Sequence, residues 1–294
     1  MKHKWKVLVI SALLGLAGCN QSPQPTAPDS TADTTAVNST EITTPEEAAV
    51  STLPADAPVY IVGTIASFPP FVLSDEYGKP KGFDIDIIRA IGEKEGFAVE
   101  VITSPWQGLL DMLNSHERDI IATGVVINPE RQKKYDFSDP YLDTQWMGIL
   151  REAPSEGKPK YDNFATAVQH STKFTTQAES AGVPALEALI KGRTDAEVIE
   201  VDSQFMELEQ VIRGEADMAY DISRVLQYYS NQMGDYQLYG LINPDSEVEY
   251  FGYAVKKGRD DGLVQKINSG LKKIKADGTY DKIYTKWFGE APTK

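Results

Sequence analysis

The sequence predicts a two-lobed α/β chain, and three observations predict it. Apolar, β-branched runs alternate with segments of helical spacing from residue 59 to about 150. A stretch of Pro, Gly and Lys at 154–160 then interrupts the series before a second, shorter strand and helix series begins. Finally, an extended run at 248–255 returns the chain before a long amphipathic segment closes it. On this reading residues 58–148 and 252–294 form lobe 1, residues 149–251 form lobe 2, and two extended crossovers join them.

Ahead of the folded part, residues 1–19 read as a secretory signal. Lys2, Lys4 and Lys6 give a basic start, and the apolar core from Val7 to Leu16 is too short to span a bilayer. Leu16-Ala17-Gly18-Cys19 resembles a bacterial lipobox, which makes Cys19 the expected lipidation site and ties the exported chain to a bacterial membrane. Cys19 is the only cysteine, so no internal disulfide can form. Residues 20–57 consist mainly of Ser, Thr, Pro, Ala, Asp and Glu, with no pattern able to bury a core, and read as a disordered tether spanning roughly 35 Å. A formal net charge of −14 argues against nucleic acid or an anionic surface as partner.

Residues 59–64 are a compact strand, followed by a proline-stiffened turn, Ser67-Phe68-Pro69-Pro70-Phe71. After the Lys79–Gly82 turn, residues 83–91 read as an amphipathic helix capped by Asp84, and Phe97, Val99 and Val101 alternate as a strand. Residues 106–113 read as a helix with Trp106 in its first turn. Residues 120–127 are a buried strand that stops at Asn128, an N-cap followed by Pro129 at the first helical position. Arg131 is misplaced there, because a cation in a first helical turn opposes the macrodipole. Either Glu130, Asp136 or Asp139 pairs with it, or it lies in solvent, or a carboxylate from elsewhere holds it.

In the second series, residues 165–169 read as a strand, Ser171 and Thr172 as a helix cap, and the neighbourhoods of 185–189 and 205–212 as helices. Residues 196–201 and 217–220 read as strands. Asp221 stands at the end of the second of these, either facing a crevice or capping a helix at 222–229. Leu263, Ile267, Leu271 and Ile274 mark the closing amphipathic helix.

Three motifs carry a resemblance: Gly82-Phe83-Asp84-Ile85-Asp86-Ile87, the run from Asn128-Pro129-Glu130-Arg131 to Asp136-Phe137-Ser138-Asp139-Pro140-Tyr141, and the C-terminal segment 277–289. Together they resemble the family 3 bacterial extracellular solute-binding proteins, the amino-acid receptors of ABC importers. The resemblance implies a type II periplasmic-binding fold, each lobe a mixed sheet flanked by helices, the lobes joined by two hinge strands. It implies that Arg131 grips the ligand's α-carboxylate in bidentate fashion, that Asp221 takes the α-ammonium, and that Phe68 and Trp106 flank the side chain. Gly124, Val126, Gln169, Thr172 and Tyr220 complete the implied pocket. Thr172 would stand near a helix start whose amides cradle a carboxylate.

The chain departs from the family pattern at Val126, where a hydroxyl is usual, at Ile65, often acidic or small and polar, and at Ser171, usually glycine. These changes make the pocket more apolar and argue against a strongly basic amino acid. The implied partners are a separate permease with its ATPase subunits, and the membrane through the N-terminal lipid. With His116 and His170 unpaired in spacing, no metal or cofactor is expected. The implied activity is binding, not catalysis, and the alternatives are a cyclohexadienyl or arogenate dehydratase on the same fold or a non-transporting sensor.

Overall fold

The computed structural model describes residues 53–151, 159–232, 236 and 238–289, all within one compact unit, Val50–Lys294. The signal segment with Cys19, tether residues 20–52 and part of the 154–160 boundary stretch lie outside the described residues.

The first run of elements is β1 Val59–Thr64, β2 Leu73–Ser74, β3 Pro80–Lys81, α1 Phe83–Glu95, β4 Ala98–Thr103, β5 Ile120–Ile121, α2 Pro129–Lys134, β6 Tyr135–Phe137 and β7 Leu142–Thr144. The second is β8 Trp146–Arg151, α3 Phe164–His170, β9 Lys173–Gln177, α4 Gly182–Leu189, β10 Glu197–Val201, α5 Gln204–Arg213, β11 Met218–Ile222, α6 Ser223–Gln232 and β12 Leu238–Ile242. The chain returns through β13 Glu249–Phe251 and β14 Ala254–Lys256 and ends in α7 Leu263–Ala276 and α8 Thr279–Phe288.

Two five-stranded mixed sheets result, in the orders β4-β1-β5-β14-β6 and β10-β9-β11-β8-β12. In the first, β1 runs parallel to β4 and β5 while β14 runs antiparallel to β5 and β6. In the second, β9, β10 and β11 are parallel and β8 is antiparallel to both its neighbours. Between the sheets, β7 and β13 pair as an antiparallel ribbon, with Leu142 opposite Phe251 and Thr144 opposite Glu249. Each sheet therefore has its own fold, and the connection between them is narrow. That is the architecture of two lobes able to move by changing a few backbone dihedrals.

Helix α7 presents Leu263, Ile267, Leu271 and Ile274 to the core of the first lobe, as their spacing requires. Its Gly270 lies against α1, where an added Cβ would meet Ile91 Cγ2 at 2.6 Å. An aromatic cluster fills the space next to the ribbon: Phe71 packs edge-on against Phe251 and Phe83, and Phe83 packs against Tyr280, Tyr284 and Phe288. Large rings in edge-to-face contact bury much apolar area on little chain.

Several local expectations change. Residues 165–169 lie in helix α3, because Asn163 caps it, its Oδ1 accepting from the Thr166 N–H, and Phe164 and Ala167 bury one helical face. Ser171 closes that helix instead of opening the next, and the strand falls at 173–177. The 106–113 segment forms only a 3-10 turn at Leu110–Leu113, since Gly108 sits at φ 77° and interrupts it. The strand read at 120–127 keeps two residues as β5, with Val126 forming an isolated bridge to Phe251. Asp84 does not cap α1, whose N-cap is Gly82 and has no side-chain cap; Asp84 is buried instead.

Candidate functional site

The site in the first lobe begins where β1 ends. Phe68 follows in the turn, buried, its ring 5.4 Å from that of Phe71. Behind it Gly124 adopts φ 59°, and an added Cβ would stand 2.6 Å from Phe68 Cε1. Only glycine combines that backbone conformation with so close a ring. The Gly124 N–H donates to Asp84 Oδ2, and the Tyr141 hydroxyl donates to the same carboxylate at 2.8 Å. Asp84 therefore fixes the loop that forms the floor of the slot. Burial pushes its carboxyl up to about 7, and the Gly124 and Tyr141 hydrogen bonds oppose that rise.

Helix α2 delivers Arg131. Asn128 Oδ1 accepts from the Arg131 N–H at 2.8 Å, and Pro129 occupies the first turn, as the sequence predicts. The guanidinium donates from Nη1 to the Val126 carbonyl at 3.0 Å and lies 5.3 Å from the centroid of Trp106. Glu130 is taken by Lys133, Asp136 by Lys257 and the Gly258 N–H, and Asp139 by Asn268. Among the described residues Arg131 makes no ion pair. Burial lowers its pKa to about 10, with Glu249 and Tyr135 opposing, so the group stays cationic at neutral pH.

Across the slot stands Asp221, at the end of β11 and 1% exposed. Its Oδ1 accepts from the Ile222 N–H at 2.6 Å, and Gln204 Nε2 lies 3.5 Å from Oδ2. Gln204 donates to Gln177 Oε1 at 2.7 Å, and Gln177 donates to the Asp202 carbonyl at 2.9 Å. The Gln204 Oε1 is buried and meets no donor among the described residues, as does the Thr123 hydroxyl in the first lobe. Burial raises the Asp221 carboxyl above the usual carboxylate range. No lysine or arginine of the described residues forms an ion pair with it.

One slot brings these groups together. Ile65, Phe68, Trp106, Thr123, Gly124, Val126 and Arg131 line it from the first lobe, and Gln177, Ser180, Gln204 and Asp221 from the second, together with Trp146, which the sequence boundaries assign to the first lobe but which stands on β8 of the second sheet. It is narrow, about 30 Å³, and a cavity of about 320 Å³ adjoins it, sharing Trp106, Arg131, Ser180 and Ala181.

Of the residues predicted from sequence, Phe68, Trp106, Gly124, Val126, Arg131 and Asp221 meet in this slot. Gln169 lies on α3, away from it, and Thr172 gives both its N–H and its hydroxyl to Asp217. Tyr220 sits behind the wall, stacked on Trp146 at 5.6 Å with its hydroxyl accepting from Asn243. The positions expected of Gln169 and Thr172 are filled by Gln177 and Ser180, because the strand leading to the slot begins at Lys173. Phe174 beside the β-branched pair Thr175-Thr176 is the sequence signal for that strand. Val126 brings no hydroxyl, whereas Thr123 places one in the same slot.

A model of the bacterial extracellular solute-binding proteins, family 3, matches residues 60–290. The chain belongs to that family. This family 3 protein shares 28% identity over 240 residues with the L-cystine-binding protein TcyA of Bacillus subtilis strain 168, covering 80% of this chain and 83% of that one. It superposes on the arginine-, lysine-, histidine-binding protein ArtJ of Geobacillus stearothermophilus with a TM-score of 0.71 at 27% identity, covering 80% and 96%. An ancestral arginine-binding protein bound to glutamine gives 0.69 at 32% identity, covering 79% and 98%. The two-lobed mixed-sheet architecture is thus the type II periplasmic-binding fold. Family and relatives are solute-binding transport proteins of amino-acid ABC systems, not enzymes, and the dehydratase alternative is set aside.

Proposed function

We propose that this family 3 protein captures an α-amino acid with a neutral, partly apolar side chain between its lobes and presents it to a separate permease with ATPase subunits. Arg131 takes the α-carboxylate, Asp221 the α-ammonium, and Phe68 and Trp106 flank the side chain. One observation carries this reading: an arginine and a buried aspartate that make no ion pair among the described residues face the same slot from different lobes. An unpartnered buried charge is costly, and a zwitterion supplies both missing partners at once. Because those partners come from opposite lobes, a bound zwitterion favours the closed state by contacts that the open state lacks. The narrow slot is consistent with this, since the lobes must part to admit an amino acid.

The neutral side chain is supported by the lining. Ile65, Phe68, Val126 and Trp146 are apolar, Gln177 and Gln204 are uncharged amides, and Asp221 is the lining carboxylate. A side-chain ammonium held within the slot would meet no carboxylate among its described lining residues besides Asp221. A thermal-shift screen of the purified residues 53–294 against the proteinogenic amino acids and cystine tests the assignment. An amino acid at one hundred times its Kd adds about 2.7 kcal/mol. Stabilisation by neutral amino acids is expected; stabilisation by lysine or arginine beyond every neutral one contradicts it.

Membrane anchorage through Cys19 belongs to the same proposal and is supported by the Leu16-Ala17-Gly18-Cys19 sequence. Two or more lipid chains anchor stably where one binds only marginally. Cys19→Ala in the full-length protein should therefore abolish membrane fractionation and leave amino-acid binding unchanged; a variant still held by membranes after a carbonate wash contradicts the anchor.

A further inference from the structure

Directly behind Asp221 lies a second carboxyl group that the binding scheme leaves without a task. Glu207 sits on α5 one turn beyond Gln204, on the face that carries Leu208 and Val211 into the lobe, and is fully buried. Neither of its oxygens meets a hydrogen-bond donor with good geometry among the described residues. Helix α5 packs against β11, Gln204 one turn before Glu207 reaches Asp221, and the Asp221 carboxyl is the side chain that acts on Glu207 by charge and hydrogen bonding. The other groups that face it are the Gln177 backbone N–H on β9 and, at longer range, the phenol of Tyr229 on α6. None of these is a cation. Two carboxyl groups in contact inside a protein do not both ionise, since each would add a like charge to an already desolvated site.

We propose that Glu207 is a positioning residue for amino-acid recognition: it carries the one proton of the pair and donates it to Asp221, so that the second lobe offers the ligand a single, aimed negative charge. The assignment of the proton follows from the surroundings. Asp221 already accepts from the Ile222 N–H and has the Gln204 amide nearby, both of which favour its ionised form, whereas the one donor facing Glu207, the Gln177 N–H, is shared with Asp221. Burial and the Asp221 charge hold the Glu207 carboxyl well above its usual range, in agreement with this division. With Glu207 neutral, one negative charge faces one α-ammonium and none remains for a basic side chain. The charge state of the pair thereby sets specificity as well as affinity. The proposal rests on the reading of Asp221 as the ammonium partner.

Infrared spectroscopy of residues 53–294 in heavy water at neutral pH tests the proton without any ligand. The measurement is made in an Asp84→Asn background, because Asp84 itself titrates near neutrality. The spectrum should contain the carbonyl band of a protonated, buried carboxylic acid, and Glu207→Gln should remove it; an unchanged spectrum overturns the proposal. Calorimetry with L-glutamine, L-histidine and L-cystine then tests the role. Glu207→Leu should weaken every probe that binds by at least tenfold, and Glu207→Gln, which keeps an N–H donor toward Asp221, should restore most of that loss. Equal binding by Glu207→Leu and wild type, or no rescue by glutamine, overturns it. If the band is found but no amino acid binds the wild-type protein, the amino-acid reading fails while the shared proton stands.

Discussion

Replacing Asp84 with asparagine should make the protein less stable below about pH 4 and more stable at neutral and alkaline pH, and the size of the effect follows from its burial. The Asp84 carboxyl is fully buried and rises from 3.8 to about 7 on folding. A raised carboxyl binds its proton more tightly in the folded state, so its favourable contribution is fully present below the unfolded value near 4. That contribution is lost as pH climbs toward 7. About three pH units at roughly 1.36 kcal/mol each gives a loss near 4 kcal/mol. Asparagine keeps an acceptor for the Gly124 N–H but weakens the bond from Tyr141, at a cost of about 1 kcal/mol. The two stability curves should therefore cross. The variant should be about 1 kcal/mol weaker near pH 3, about equal near pH 4.5 and roughly 3 kcal/mol stronger at pH 8. Urea unfolding of residues 53–294 at half-unit pH intervals measures this difference directly. Other raised acids, among them Glu207, Asp221 and Glu249, slope the same way but cancel in the comparison. Parallel curves over pH 4.5–8 would refute the buried ionisation of Asp84.

Gly124→Ala should lower stability by roughly 1–3 kcal/mol, because a methyl group at φ 59° drives into the Phe68 ring, and calorimetric melting checks it. Trp106→Ala removes the ring beneath the Arg131 guanidinium and should weaken amino-acid binding by about 1 kcal/mol, read by titration calorimetry. Tyr229→Phe deletes the 2.7 Å hydrogen bond to the Ser67 hydroxyl, which spans the mouth between lobes. That exposed bond contributes under about 1 kcal/mol, so the ligand-free radius of gyration by X-ray scattering should rise slightly while the melting temperature stays nearly fixed.

What was legible in the sequence was what local chemistry determines. Asn128, Pro129 and Arg131 announce their own geometry: a cap, a pre-set φ and a cation set against a helix dipole need no tertiary information. Asp221 was legible as a strand end in an α/β lobe. Less legible was anything fixed by packing between distant segments. Gln204 and Glu207 sit at polar positions of an amphipathic helix and would ordinarily face water; they are buried because β9 and β11 come to them. Asp84 looked like a cap because it opens a helix, yet Tyr141, far along the chain, draws it inward. The short apolar segment at 165–169 suits a strand or a helix equally, and the Asn163 cap decides it. That single displacement moved the expected second-lobe contacts from Gln177 and Ser180 to Gln169 and Thr172.

The central claim is that Arg131 and Asp221 are the two poles of a zwitterion site divided between lobes. Titration calorimetry of Arg131→Ala, Asp221→Ala and Glu130→Ala, using the amino acid that most stabilises the wild-type protein in the thermal screen, tests it most directly. Removing either pole leaves a ligand charge desolvated without its partner, which costs roughly 2–5 kcal/mol of affinity, whereas Glu130 is occupied by Lys133 at the surface and its loss should change little. The amine and the carboxylic acid that each lack one pole of that amino acid should fail to bind the wild-type protein measurably. Affinity near wild type in both Arg131→Ala and Asp221→Ala would contradict the amino-acid reading.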